Sequence, residues 1–262
     1  MKILAIGDIV GRPGRDVVVK LLPGLIREHD VSFVMANGEN LAGGSGLTPE
    51  TVNALFEAGV DCVTSGDHCY RQKTIIPLLE TDARLLRPAN FAKQASGKGF
   101  TVLAGRSGER VGVVNLLGRV FMKPIDDPFA AVDAILARLA GDTDVILVDM
   151  HAEATSEKIA MGWYLDGRVT AVLGTHTHVQ TADETVLPSG TAYITDLGMT
   201  GPHRSVLGRS VEKVVRALTT GMPTFFDVAT DDVRLSGVLV TANPTSHKAT
   251  AIERIVVKMN DE

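Results

Sequence analysis

Residues 175–184 read THTHVQTADE, and they follow an apolar run, Val169–Leu173, and Gly174. Two histidines one residue apart at the end of a buried strand raise a chemical question. In extended chain, residues two apart project to the same side, so His176 and His178 would present two imidazoles to one place. The commonest partner for such a pair is a metal ion. Other ligands must then come from elsewhere in the chain, and they do so in a consistent way. Short apolar runs end in Gly7-Asp8, Gly38-Glu39-Asn40 and Gly66-Asp67-His68, and a further run leads to His151. Loops at the carboxyl ends of parallel strands converge on one crevice. A glycine beside the polar residue lets the backbone turn and approach closely.

Singly, each piece is weak. An Asp after Gly is often only a turn residue or a helix cap, and an isolated His151 would ordinarily be a hydrogen-bonded structural histidine. The signal lies in convergence: Asp8, Glu39, Asn40, Asp67, His151, His176 and His178 are oxygen or nitrogen donors, all at strand ends. Of the seven histidines, only His29 and His247 fall in segments that look incidental. Carboxylate, amide and imidazole without thiolate suit manganese, iron or zinc in a reactive centre rather than a structural zinc. Seven donors are too many for one ion and about right for two. Two ions ~3.5–4 Å apart form the clamp that many phosphatases and nucleases use on a phosphate ester. The residues alone therefore lead to a metal-dependent hydrolase of phosphate esters.

The elements that must position these donors alternate in type. Lys2–Ile6, Ser32–Ala36 and Asp61–Thr64 read as strands, with helices predicted at Asp16–Glu28 and from Thr48-Pro49-Glu50 onward. Thr48 suits an N-cap and Pro49 the first turn. This βαβαβ order implies parallel strands with crossover helices. Phe100–Ala104 and Arg110–Leu117 read as a strand pair. Pro128–Ala140 is a predicted helix, with strands at Asp144–Asp149, Val169–Leu173 and Thr191–Thr195, and another helix at Val211–Thr219. The tail alternates apolar and polar residues over Val233–Val240 and Ala249–Val257, like two antiparallel strands. No repeat or linker divides the chain, so residues 1–262 are expected to form a single α/β domain with two packed sheets and outer helices.

Composition narrows the function classes. The chain has 262 residues, 45% of them hydrophobic, ample for a core. Its 26 basic and 31 acidic residues give a net charge of -5, which argues against a broad nucleic-acid-binding surface. No apolar run approaches the ~18 residues of a membrane span, and MKILAIGDIVG meets Asp8 too soon for a signal peptide. Cys62 and Cys69 form no CxxC pair and no disulfide scaffold. A cytoplasmic location is expected. Gly11-Arg12-Pro13-Gly14 lacks the Gly-Lys-Ser/Thr ending of a phosphate-cradling loop. Asp149, two residues before His151, is placed either to orient a ligand or to cap a buried donor.

The stretches GDIVGRPGR, NGENLAGGSGLT, SGDHCY, DMHAEATSEK, GTHTHVQTADE and DLGMTGPHRSVLG, in this order, resemble the calcineurin-like metallophosphoesterases and, within them, the bacterial YmdB-like phosphodiesterases. The resemblance spans nearly the whole chain. It implies a four-layer α/β/β/α sandwich, two mixed sheets flanked by helices, with a two-metal centre and activity on 2′,3′-cyclic nucleotides. Carried over by position, one ion would take Asp8, Glu39, Asn40 and His178. The other would take Glu39, Asp67, His151 and His176, with Glu39 bridging. Iron or manganese is favoured and zinc is allowed. A metal-bound hydroxide would attack the phosphorus of a small-molecule phosphodiester, and His68 would protonate the leaving oxygen. The segment Gly198–Gly208 would lie near the site, making His203 and Arg204 candidate phosphate contacts alongside Arg12. The family also hints at a homo-oligomer.

Two departures stand out. The wider superfamily opens with Asp-x-His, where this chain has Asp8-Ile9-Val10, and Asn40 beside Glu39 is the substitute ligand. Gly-Asn-His is replaced by Gly66-Asp67-His68. The anion at position 67 would bind metal more tightly and blunt its Lewis acidity. Three rivals stand beside this reading: a phosphomonoesterase or nuclease on the same centre, a metal- and nucleotide-binding regulatory protein with little turnover, and a metal-dependent amide hydrolase.

Overall fold

The computed structural model describes residues 1–143 and 145–259. Its first third follows the expected alternation: β1 (Lys2–Ile6), β2 (Asp8–Ile9), α1 (Gly11–His29), β3 (Phe33–Asn37), α2 (Pro49–Ala58), β4 (Cys62–Thr64) and α3 (Ile76–Thr81). The middle comprises β5 (Phe100–Ala104), β6 (Arg110–Leu117), α4 (Pro128–Leu139), β7 (Val145–His151), α5 (Thr155–Tyr164) and β8 (Ala171–Thr175). The remainder is β9 (Thr185–Val186), β10 (Ala192–Ile194), β11 (Met199–Pro202), α6 (Val211–Thr220), β12 (Val233–Ala242) and β13 (Ala249–Lys258). Asp144, the expected start of the strand that β7 forms, lies outside the described residues.

These strands form two mixed sheets. In the first, β1 pairs in parallel with β3, and β3 with β4. On its other edge β1 runs antiparallel to β12. Strand β13 follows β12 along its far edge from Arg234↔Lys258 to Ala242↔Ala249, so β11 must share the near edge with β1, at Gly201↔Arg234 and Pro202↔Val233. The second sheet runs β5-β6-β7-β8-β10-β9, parallel from β6 through β10 and antiparallel at both edges.

Alternation along each strand sorts its side chains into different cores. Ile3, Ala5, Phe33 and Met35 of the first sheet meet Val111, Val113, Leu147 and Leu173 of the second. Their sequence neighbours Leu4, Ile6, Val34 and Ala36 face the opposite way and pack with Val17, Val18, Leu22 and Leu55 of α1 and α2. Val114, Leu116, Ile146 and Val148 pack with Val132, Ile135 and Met161 of α4 and α5. Burial on both faces explains why these strands read as unbroken apolar runs. Each fully buried large aliphatic side chain contributes roughly 1.5–3 kcal/mol.

Several boundaries depart from the sequence expectation. Helix α1 begins at Gly11, so Arg12 and Pro13 occupy its first turn rather than a loop. Proline is tolerated there because the first N–H groups have no partner within the helix. Thr48 does cap α2: its side chain accepts from the N–H of Thr51, with Pro49 at the first position. The glycine-rich segment 198–208 contains β11, which pairs in parallel with β2 through Met199↔Asp8. That pairing fixes the backbone of the first proposed ligand.

Candidate metal centre

The carboxyl ends of β3, β4, β7 and β8 meet at one end of the two sheets. Asn37 of β3 lies beside Thr64 of β4 in register, and His151 of β7 lies beside Thr175 of β8. All four surround Asp149, which is fully buried. Thr175 donates to Asp149 Oδ1 at 2.7 Å and Asn37 Nδ2 to Oδ2 at 3.1 Å, and Thr64 donates to the same carboxylate. Burial pushes the Asp149 carboxyl up, while His151 and these donors draw it back. Asp149 meets His151 through Thr175 rather than directly. The Thr175 hydroxyl proton goes to Asp149, so Thr175 Oγ1 accepts from His151 Nδ1, 2.9 Å away. Nε2 of His151 is then the nitrogen that faces the crevice.

There it meets the other donors. Glu39, Asp67, His151 and His176 each offer one ligand atom, and these atoms all lie within 4.8 Å of one another. His151 Nε2 is 3.3 Å from Glu39 Oε2, 3.8 Å from Asp67 Oδ1 and 3.0 Å from His176 Nδ1. The remaining donors adjoin this group. His178 Nε2 is 3.8 Å from Asp8 Oδ1 and 3.2 Å from Asn40 Nδ2, which is 3.1 Å from Glu39 Oε1.

Two features fit these residues to cations. First, Asp8 Oδ1 and Asp67 Oδ1 are buried without a hydrogen-bond partner. A buried carboxylate oxygen in that state is costly unless something positive meets it. Second, each of the three histidines directs one nitrogen inward and has the other held by an acceptor. These acceptors are Thr175 for His151, Glu153 Oε2 at 3.0 Å for His176 Nε2, and the Leu207 carbonyl at 3.2 Å for His178 Nδ1. Metal-ligating histidines are oriented in this manner.

The electrostatics agree. Burial opposes the charge on Glu39, but His151 and His68 outweigh it and bring its pKa down to about 2. Asp67 is lowered too, by His151, His68 and His176 against burial. Burial dominates at Asp8 and raises it to about 6, despite His178 and His151. His151 is raised against its own burial by Glu39 and Asp67, and His176 is lowered by burial and by His151. The carboxylates thus draw positive charge into a buried space.

Backbone at the site is tightly constrained. A Cβ on Gly66 would lie 2.2 Å from His151 Nε2 and 2.4 Å from Glu39 Oε2, so only glycine admits both candidate ligands. His176 and His178 lie beyond the end of β8, with φ of 102° and 65°. The pair is therefore not in extended chain, contrary to the expectation from its spacing. Both rings reach the centre from a left-handed turn, and they meet different partners.

Other residues fall into place around this group. His68 Nδ1 is 3.1 Å from Asn40 Oδ1, and its Nε2 is 3.8 Å from Asp67 Oδ2. Arg12 sits on the solvent side of α1, 83% exposed and 3.4 Å from Asp16. Arg204 is exposed and lines neither cavity at the centre. His203 Nε2 donates to the Met199 carbonyl at 3.1 Å and lines a neighbouring cavity with His178. A cavity of about 320 Å³ opens over Glu39, Asn40, His68 and His178. Two of its lining residues escape the sequence reading, Glu153 and Arg209. Arg209 donates to the carbonyls of Gly43, Gly44 and Phe226. Burial alone moves its pKa, downward, and no carboxylate pairs with it among the described residues.

Comparison with known proteins agrees with this geometry. The family model described as YmdB-like protein matches residues 4–255. The chain is 47% identical over 262 residues to the 2′,3′-cyclic-nucleotide 2′-phosphodiesterase of Bacillus subtilis, covering 100% of this chain and 98% of that protein. A crystal structure of a hypothetical protein from Thermus thermophilus superposes with a TM-score of 0.93 at 43% identity, covering 99% of this chain and 100% of that one. A structure described as a novel phosphatase from Mycoplasma pneumoniae gives 0.92 at 34% identity, covering 100% and 94%.

Proposed function

Because the chain belongs to the YmdB-like family, we propose that it is a metal-dependent phosphodiesterase acting on nucleoside 2′,3′-cyclic phosphates. The observation that carries this reading is the convergence of Glu39, Asp67, His151 and His176 within 4.8 Å, with orphaned carboxylate oxygens aimed into the same space. The substrate class comes from the relative in Bacillus subtilis, named for that activity. We further read the three apolar cores as the interfaces of one four-layer α/β/β/α unit.

Two ions fit the donor set. Glu39, Asp67, His151 and His176 would hold one. Asp8, Asn40 and His178 would hold the other, with Glu39 between them. Oxygen and imidazole donors favour iron or manganese. When bound, such a pair neutralises the non-bridging phosphate oxygens and lowers the pKa of a water.

The chain's own residues supply the rest. Asn40 Oδ1 lies 3.1 Å from His68 Nδ1 and accepts from its N–H, with a second lone pair left for a cation. His68 acts as the imidazolium, whose Nε2–H meets a leaving alkoxide. His68 is accordingly the general acid. Arg209, a cation at the cavity wall without a paired carboxylate among the described residues, binds the phosphate.

The test is hydrolysis of bis-p-nitrophenyl phosphate with added manganese, beside a His176→Ala variant and with the monoester p-nitrophenyl phosphate for comparison. Release of nitrophenol from the diester by the wild type, lost in the variant, is the expected result. No release from metal-loaded protein would overturn the reading. Preference for the monoester would replace it with a phosphomonoesterase on the same centre.

A further inference from the structure

A second cavity, of about 350 Å³, flanks the centre on the side of Asp67 and His176, and its outer wall is Phe121, Met122 and Lys123. These residues lie on the segment between β6 and α4. Phe121 is 89% exposed, and its φ is 62°. A bulky residue in the left-handed region is a genuine outlier, and such strain persists only where surrounding structure enforces it.

Here the surroundings do enforce it. Asn90 clasps both ends of the loop, donating to the carbonyls of Leu117 at 2.7 Å and Asp126 at 2.9 Å and accepting from the N–H of Leu117 at 2.9 Å. The buried carboxylate of Glu157 accepts from the N–H of Arg119 at 3.0 Å and of Val120 at 3.3 Å. The N–H of Gly118 donates to the carbonyl of His151 itself at 2.9 Å. The loop is therefore built onto a proposed metal ligand, held at its base, and made to display an apolar ring to solvent beside the centre. Among the described residues Phe121 is the most exposed large hydrophobic side chain, and it stands at the wall of a cavity that Asp67 and His176 also line.

We propose that Phe121 is a nucleobase-stacking residue that sets specificity for nucleoside substrates over other phosphodiesters. This inference rests on the cyclic-nucleotide reading above. A cyclic phosphate seated over the proposed metal ligands, with its leaving oxygen toward His68, leaves the nucleoside one of the cavities beside the centre. Apart from histidines, none of them offers another aromatic side chain: the cavity over His68 is walled by Val10, Leu207 and Arg209, and the one beside His203 by Val179, Met199 and Val256. Every base has a π-face, so a single phenyl ring recognises nucleosides as a class without choosing among them. Lys123, on the same loop, lies where it adds positive charge to the approach.

The experiment compares wild type, Phe121→Ala and Phe121→Trp on adenosine 2′,3′-cyclic phosphate and on the base-free methyl riboside 2′,3′-cyclic phosphate. Calorimetric binding of adenosine 3′-monophosphate is measured alongside. Phe121→Ala should raise KM for the adenosine substrate and weaken the monophosphate about tenfold, the loss of one base–aromatic stack. Its kcat, and all parameters for the base-free substrate, should stay unchanged, and Phe121→Trp should restore binding. Equal effects on both substrates, or none, would overturn stacking while leaving the phosphodiesterase intact. Binding that depends on Phe121 in a protein without turnover would support stacking and remove the phosphodiesterase reading. A wild type that neither binds nor turns over removes both.

Discussion

Lys158→Met tests what holds the histidine turn in place. The side chains of Lys158 and Asp196 are both fully buried, with Nζ 2.7 Å from Oδ2. Lys158 also donates to the carbonyl of Thr175 at 2.8 Å, one residue before His176. Asp196 in turn accepts from the N–H of Thr177 at 3.0 Å, its hydroxyl at 2.7 Å, and the N–H of Gly198 at 2.8 Å. Methionine matches the length of the lysine stem and removes only the charge and its hydrogen bonds. Deleting one partner of a buried pair costs about 3–5 kcal/mol, because the other charge stays behind. Three donors remain on Asp196, which places the cost near the lower figure. With an unfolding entropy of ~2.1 cal/mol/K per residue, that corresponds to a Tm lowered by about 5–6 °C. Thermal unfolding of metal-free protein reads it directly. Lys158→Met/Asp196→Asn should be less destabilised than Lys158→Met, since no buried charge is stranded. A double variant no better than the single, or a single variant within ~1 °C of wild type, would refute the argument.

Two predictions concern the chemistry. His68→Ala should lower kcat about 10²–10⁴-fold, the usual share of a general acid. A general acid works in its protonated form, so the wild-type rate should fall on the alkaline side. That alkaline limb should be missing from the variant's pH–rate profile, and its persistence would exclude His68 as the acid. Arg209→Gln should reduce kcat/KM roughly 10- to 100-fold, matching a charge-assisted hydrogen bond of about 1.5–3 kcal/mol, with metal content unchanged. Unaltered steady-state kinetics would remove Arg209 from phosphate binding.

How much of this was legible in the sequence follows from what each residue packs against. The parallel strands stand out because both faces are buried, and Val, Ile and Leu run unbroken. Six of the seven proposed ligand positions stand out because a glycine and a polar donor interrupt those runs at their ends; His151 follows its run without a glycine. Helix α5 hides for the opposite reason. Its inward face carries Glu157 and Lys158, so the apolar period that marks a helix is broken by two charges that the fold later satisfies. The two residues of β2 are too few to show any period. Asp149 is legible from its spacing to His151. Glu153, Arg209 and the Lys158–Asp196 pair are not, because their partners lie far away in sequence and only the topology introduces them.

The same topology explains why the histidine pair needs so much support. Left-handed backbone costs a non-glycine residue of order 1–3 kcal/mol, and His176 and His178 both adopt it within three residues. A straight continuation of β8 would have placed both rings on one side, pointing toward one ion. The turn instead sends Nδ1 of His176 toward His151 and Nε2 of His178 toward Asp8. Two groups of donors are thereby served from adjacent positions. Between the two histidines, Thr177 is held at its N–H and its hydroxyl by the one carboxylate that Lys158 neutralises. The buried ion pair is thus placed where strain accumulates, which is why its removal should be felt at the ligands as well as in the melting temperature.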